Sequence, residues 1–330
     1  MFNTIYVENQ LIEHPRVKNI LARFSDATLV LCEHYGEVFN RSSQNFRLQK
    51  NSPSLMLAEK NNRLVLPAPD GYGIGGKHNY YFSHMMNCVY DCRYCFLQGM
   101  YNSANYVLFV NFEDFGEEIR RVATAKEGPV YFFSGYDCDS LALEPVSQFG
   151  QYFIDVFRDL PNGILELRTK STQVRHLLSQ SPLENIVVAF SLSPENIDRA
   201  LEHKAPNLEK RLDAMQKLAQ QGWKIGLRFD PLIYHDSYQT SYEELFVETF
   251  SRLALSSIHS VSLGSFRLPQ AYFKKLVRLY PDEKLFASPL SVKHGMMGYH
   301  EELEQEMMSF CYAALKEHIS EELIFCCDYS

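Results

Sequence analysis

No apolar run in the sequence approaches the roughly 18 residues that a membrane span needs, so none is expected. The N-terminal stretch MFNTIYVENQLIEHPRVKN has no basic region followed by an apolar one, so no secretory signal is expected either. Glycine and proline are sparse, 16 and 14 of 330 residues, which excludes collagen-like and low-complexity character. Positive charge is in deficit: 32 Lys and Arg stand against 40 Asp and Glu, a net of −8 that argues against a generic nucleic-acid coat. Hydrophobic residues make up 46% of the chain, enough for a large core. At about 150 residues per domain, the length suits two domains or one barrel-type domain with extensions. A cytoplasmic location is expected.

The charge is uneven. Residues 301–330 hold eight acidic groups against Lys316, a net of −7 that leaves −1 for the rest of the chain. Residues 41–77 carry Arg41, Arg47, Lys50, Lys60, Arg63 and Lys77 against Glu59 and Asp70, a net of +4. Such a patch suits phosphates, or it is simply a solvated face. The eight cysteines are 32, 88, 92, 95, 138, 311, 326 and 327. In a reducing compartment they are unlikely to pair as disulfides, and a tight group points to metal or redox chemistry.

After residue 80, short apolar runs alternate with amphipathic ones. Strands are expected at Tyr80–Met86, Pro129–Phe133, Ile164–Arg168, Ile186–Ser191, Lys224–Phe229 and Ser260–Gly264. Helices are expected at Phe112–Thr124, Val146–Phe157, Thr172–Leu178, Leu208–Gln221, Tyr242–Ala254 and Pro269–Leu279. This alternation predicts an α/β fold with a parallel, curved, barrel-like or doubly wound sheet. Before it, strands are expected at Ala27–Glu33 and Arg63–Leu66. After it come a helix, Glu301–His318, and a strand, Leu323–Cys327. The expected division is 1–78 as an N-terminal α/β extension, 79–282 as the barrel and 283–330 as an acidic C-terminal extension.

The strongest motif is Cys88-Val-Tyr-Asp-Cys92-Arg-Tyr-Cys95, a C-x3-C-x2-C spacing just after the first strand of the series. In barrels, loops at the strand C-termini hold the active site. Three thiolates on one loop can ligate three irons of a 4Fe–4S cluster and leave the fourth open to a ligand. Zinc remains the alternative, with His84 or Cys138 as a fourth ligand.

This spacing, with aromatic Tyr94 before the last cysteine, resembles the radical S-adenosylmethionine superfamily, and the chain resembles its spore photoproduct lyase family. The run Cys92-Arg-Tyr-Cys-Phe-Leu-Gln98 is similar to that family's C-x-Y-C-Y-L-Q, with Phe96 where the family has tyrosine. The segments Leu165–Lys170, Val188–Ser191 and Ala205–Arg211 have similar partners in the same order. The resemblance implies a partial (β/α)6 barrel, a 4Fe–4S cluster on Cys88, Cys92 and Cys95, and S-adenosylmethionine on its open iron. It implies cofactor contacts from Tyr94, Lys170 (to the methionine carboxylate) and Ser191 (to the ribose). It implies reductive cleavage to a 5′-deoxyadenosyl radical, hydrogen abstraction from a thymine dimer in damaged DNA, and an electron donor such as flavodoxin or ferredoxin. Arg41, Arg47, Lys50 and Lys60 would then hold backbone phosphates of a flipped-out lesion.

In the family a cysteine returns the hydrogen, but Tyr136 occupies that position here. Cys138 follows two residues later, on the same face if the chain is extended there. Cys138, with Tyr136 alongside, is therefore the expected catalytic pair. The piece Asp139–Glu144 resembles a related, lyase-like branch. Competing readings are a radical enzyme on another nucleotide or small molecule, and a non-catalytic iron–sulfur or zinc protein that binds nucleic acid. Gly71-Tyr-Gly-Ile-Gly-Gly76 fits a nucleotide fingerprint but leads into a strand rather than a helix, so it is read as a loop. Arg228 and Asp230 are expected either to line the substrate cavity or to form structural ion pairs.

Overall fold

The fold is described from a computed structural model covering residues 2–69 and 71–327. Asp70 and Asp328, counted in the charge patches above, lie outside the described residues. The larger sheet has eight strands. Leu66–Pro67 forms an antiparallel edge, and parallel strands follow in chain order: His78–Phe82, Val130–Ser134, Gly163–Thr169, Ile186–Ser191, Lys224–Leu232, Ile258–Ser265 and Ile324–Cys326. The two ends of this curled sheet do not pair with each other, so it is a half-barrel. The strand expected at Arg63–Leu66 shrinks to Leu66–Pro67, and Arg63, at φ +52°, is outside the extended region.

The interior strands are rich in apolar residues because both faces are covered, and buried charged groups among them such as Glu166 and Arg228 are paired. All six residues of Ile186–Ser191 are buried. Helices Phe112–Thr124 and Leu208–Gln221 have their expected bounds. The second begins where the Asn207 side chain accepts from Lys210 N (3.1 Å) and ends at Gly222, whose φ of +106° suits glycine. The seventh parallel strand, Ile324–Cys326, comes from the C-terminal extension and lies against Ile258–Ser265.

A second sheet of five strands runs in the order Thr28–Cys32, Thr4–Glu8, Leu55–Ala58, Tyr106–Phe109 and Met85–Met86. Its last two strands come from beyond residue 78, so pairing crosses the expected 78/79 boundary. Met85 and Met86 pair antiparallel with Leu108 and Val107, pinning both ends of the segment that holds the three cysteines. Asn87 (φ +68°) reinforces the closure by donating to the carbonyls of Ser103 (2.8 Å) and Asn105 (2.7 Å). Among the described residues no helix is long and apolar enough to cross a membrane.

Candidate active site

The cysteine loop leaves the C-terminal end of His78–Phe82, as barrel geometry predicts. Asp91–Cys92 pairs antiparallel with Glu202–His203, and Arg93 N donates to Leu201 O at 2.8 Å, so the loop is laced to the segment after Ile186–Ser191. Burial pushes the Cys88 thiol up to about 12, with Asp139 adding to the rise. Burial also raises Cys92 well above its ordinary value and raises Cys95. Cys92 feels the charge of both other thiols, Lys170 opposes the rise at Cys92 and Cys95, and Lys50 opposes it at Cys88 and Cys95. Three sulfur donors thus share one desolvated pocket with two cations beside it. That donor set suits a cluster, which spreads its ligands over separate irons. Among the described residues no three His, Cys, Asp or Glu side chains close on a single ion.

Lys170 follows directly on Gly163–Thr169. Its ammonium lies 5.6 Å from the Tyr94 ring centre and 3.9 Å from Glu202. Glu202 is the buried anion that sequence reasoning missed. It accepts from the Tyr94 hydroxyl, from Ser193 Oγ (2.8 Å) and from Arg211. Burial alone would raise its carboxyl, but Lys170 and Arg211 outweigh that and hold it at about 2. Arg211 also donates to Ser191 O (2.9 Å) and to Asp198, fixing the end of Ile186–Ser191. Ser191 is itself buried at that end. Asp139, also missed, accepts from Thr169 Oγ1 and Lys170 N, both at 2.6 Å, and so sets where Lys170 begins. No spacing in the sequence marks Glu202 or Asp139, although Asp139 and Arg211 both lay within family-like segments.

Tyr136 and Cys138 are not brought to one face. The strand ends at Ser134, and Gly135 (φ +86°) turns the chain, so the two-residue alternation stops there. Phe132 packs outward on Phe157, so Phe133 points into the barrel. Tyr72 joins Phe133 there, and Tyr136 packs against Tyr72, Tyr81 and Phe96 with centroids 5.8, 4.5 and 5.7 Å away. Burial, then Tyr81 and Tyr72, push the Tyr136 phenol to about 12. Cys138 Sγ lies 3.9 Å from His84 Nδ1, and His84 stacks at 3.6 Å on Phe149 of the outer helix Phe149–Arg158. Burial pushes His84 down to about 3, so it faces the thiol as neutral imidazole.

The expected phosphate patch is also divided. Lys50 is buried, 3.7 Å from Asp91, and Lys60 is half-buried beside the Phe109 and Phe115 rings. Arg41, Arg47, Arg63 and Lys77 remain exposed. Arg228 makes a closed ion pair with Glu166, while Asp230 lies between Arg168 (3.4 Å) and Arg267 (3.5 Å). The Gly71–Gly76 stretch is a loop, with Gly76 set so close to Tyr131 that a Cβ would meet its ring at 2.2 Å.

A parallel half-barrel with a C-x3-C-x2-C loop after its first parallel strand, and a lysine and an aromatic hydroxyl beside the thiols, is the architecture of the radical S-adenosylmethionine class. Comparison with known proteins narrows this. A family model described as spore photoproduct lyase matches residues 76–323, and the chain belongs to that family. It is 21% identical over 306 residues to a spore photoproduct lyase of Clostridium acetobutylicum, covering 91% of this chain and 89% of the relative. It is 22% identical over 292 residues to that of Bacillus subtilis, covering 85% and 83%. Among solved structures, a substituted spore photoproduct lyase with bound AdoMet and dinucleoside spore photoproduct superposes with a TM-score of 0.84 at 17% identity, covering 100% of this chain and 99% of that one.

Proposed function

We propose that the chain is a radical S-adenosylmethionine lyase that repairs a thymine-dimer lesion in DNA, the spore photoproduct. Family membership supports this, and the observation that carries it is the desolvated trio Cys88, Cys92 and Cys95 beside Lys170 and Tyr94. The cluster with its S-adenosylmethionine supplies a 5′-deoxyadenosyl radical that takes hydrogen from the lesion. Lys170 is suited to hold the methionine carboxylate, because among the described residues its one ion pair is the long contact to Glu202. Arg211 and the Tyr94 hydroxyl satisfy Glu202 from its other sides, which keeps Lys170 from collapsing onto it. Tyr94 and Ser191 complete the cofactor contacts in this reading. An acidic electron carrier, flavodoxin or ferredoxin, is the partner, and the cytoplasm is the location.

Anaerobic reconstitution tests the reading. About four irons and four sulfides per chain are expected. Cys88→Ala, Cys92→Ala and Cys95→Ala should each lose the brown absorbance and all turnover, and an intact cluster in any of them would sink the assignment. Release of 5′-deoxyadenosine with repaired thymines on lesion-bearing DNA supports the lyase. Turnover indifferent to the lesion points to another nucleotide or small-molecule substrate, and no turnover at all points to a non-catalytic protein.

For the hydrogen return, Cys138 and Tyr136 stay as the two candidates: Tyr136 packs among Tyr72, Tyr81 and Phe96 inside the barrel, and Cys138 is buried where it feels the charge of Cys88. Tyr136→Phe should still cleave S-adenosylmethionine but give adducts in place of thymines. If Cys138→Ala does this and Tyr136→Phe repairs cleanly, the thiol is the donor.

A further inference from the structure

A groove of about 570 Å³ lies outside the cysteine loop, between the N-terminal residues 42–47 and the helix Gln270–Leu279. Gln98, from the short helix Leu97–Met100 that begins two residues after Cys95, forms part of its floor. Arg47, Lys275 and Arg278 line it, with neutral groups such as Asn45, Gln98 and Asn102, and no carboxylate is among the described lining residues. Lys275 Nζ is held 3.3 Å from Asn102 Oδ1, and Arg278 is exposed. In a chain of net charge −8, this is a local surplus of positive charge.

The groove also adjoins the cysteine loop. Gln98 N donates to Cys95 O at 3.1 Å, so a residue of the groove floor is hydrogen-bonded to the cysteine loop itself. Phe96 faces Tyr136 in the barrel, whereas Gln98, about 200° further round the helix, faces the groove. Gly99 presses on the carbonyl of Tyr272, where a Cβ would come within 2.6 Å, so the lysine-bearing helix rests directly on this floor.

We infer that this groove docks an acidic one-electron carrier protein, with Lys275 and Arg278 as its cationic contacts. The inference rests on the radical reading above, which needs such a reductant. The carrier is oxidised by one electron and S-adenosylmethionine is reduced by it. The C5′–S bond breaks, methionine keeps the electron pair, and the 5′ carbon keeps the unpaired electron. Opposite charge across the interface would raise the association rate, and salt would lower it.

The experiment compares reconstituted parent with the double variant Lys275→Glu/Arg278→Glu, using a flavodoxin as the carrier. Calorimetric titration with oxidised flavodoxin at low salt should show at least about a tenfold loss of affinity, or about 1.4 kcal/mol. Formation of 5′-deoxyadenosine should fall similarly with reduced flavodoxin but stay at the parent rate with dithionite, which needs no docking. Unchanged flavodoxin affinity overturns the inference. So does an affinity for lesion-bearing duplex that falls in place of flavodoxin affinity, since the groove is then a nucleic-acid surface. If charge reversal also lowers the dithionite rate, Lys275→Gln/Arg278→Gln decides by the same titration. A parent that releases no 5′-deoxyadenosine even with dithionite refutes the radical reading instead, and the titration still reports on the groove.

Discussion

Arg228 and Arg211 are both fully buried and both face carboxylates, yet their surroundings close to different degrees. Arg228, midway along the barrel, meets Glu166 with two nitrogens at 2.8 and 3.2 Å, and also Ser260 O, Ser260 Oγ and Leu227 O at 2.9–3.1 Å. Charge and hydrogen-bonding capacity are used up there. Arg211 shares Glu202 and Asp198 with a wider network, and that network ends in Lys170, held 3.9 Å from Glu202. A cation left at arm's length beside three desolvated thiols is available to an incoming carboxylate. Completeness of pairing, rather than residue type or burial, separates the ion pair that holds the barrel from the one that equips the site.

The sharpest way to break this contrast is to remove each arginine. Arg228→Met and Arg211→Met should each cost about 3–5 kcal/mol in urea unfolding, because each strands a buried carboxylate. Only Arg211→Met should also weaken S-adenosylmethionine binding in the folded protein, since the freed Glu202 then claims Lys170. Equal loss of cofactor affinity in both variants would erase the distinction. A smaller effect is expected from Lys170→Ala, which should weaken cofactor binding by about 1.5–3 kcal/mol, the range for a hydrogen bond to a charged group. Anaerobic titration would measure it, and parent-like binding would remove Lys170 from the site. Ser191→Ala should cost least, about 1 kcal/mol for a neutral hydroxyl, in the same titration.

The barrel was legible because its interior strands are rich in apolar residues and several of its helices are periodic. Ile186–Ser191, Phe112–Thr124 and Leu208–Gln221 have their expected bounds for that reason. The smaller sheet was mostly hidden. Its strands Thr4–Glu8, Leu55–Ala58 and Tyr106–Phe109 are short and pair across long stretches of chain, and nothing local announces such partners. In the site, the cysteine spacing carried its own chemistry, and Lys170 and Ser191 do fall at strand ends. Glu202 and Asp139 were invisible because a lone carboxylate acquires meaning only from what folds against it. The two-residue alternation expected to carry Tyr136 and Cys138 stops at Gly135, whose backbone is left-handed.

The strand pairing at Met85–Met86 with Val107–Leu108 gives the cysteine segment fixed ends. Closing a loop of this length has an entropic cost, and the strand pairing at its ends offsets part of it. Small metal-dependent domains fold only as they load, and come apart when stripped. In this chain strand pairing already sets the two ends of the thiol-bearing segment, so its thiols are gathered by protein contacts as well as by whatever they ligate.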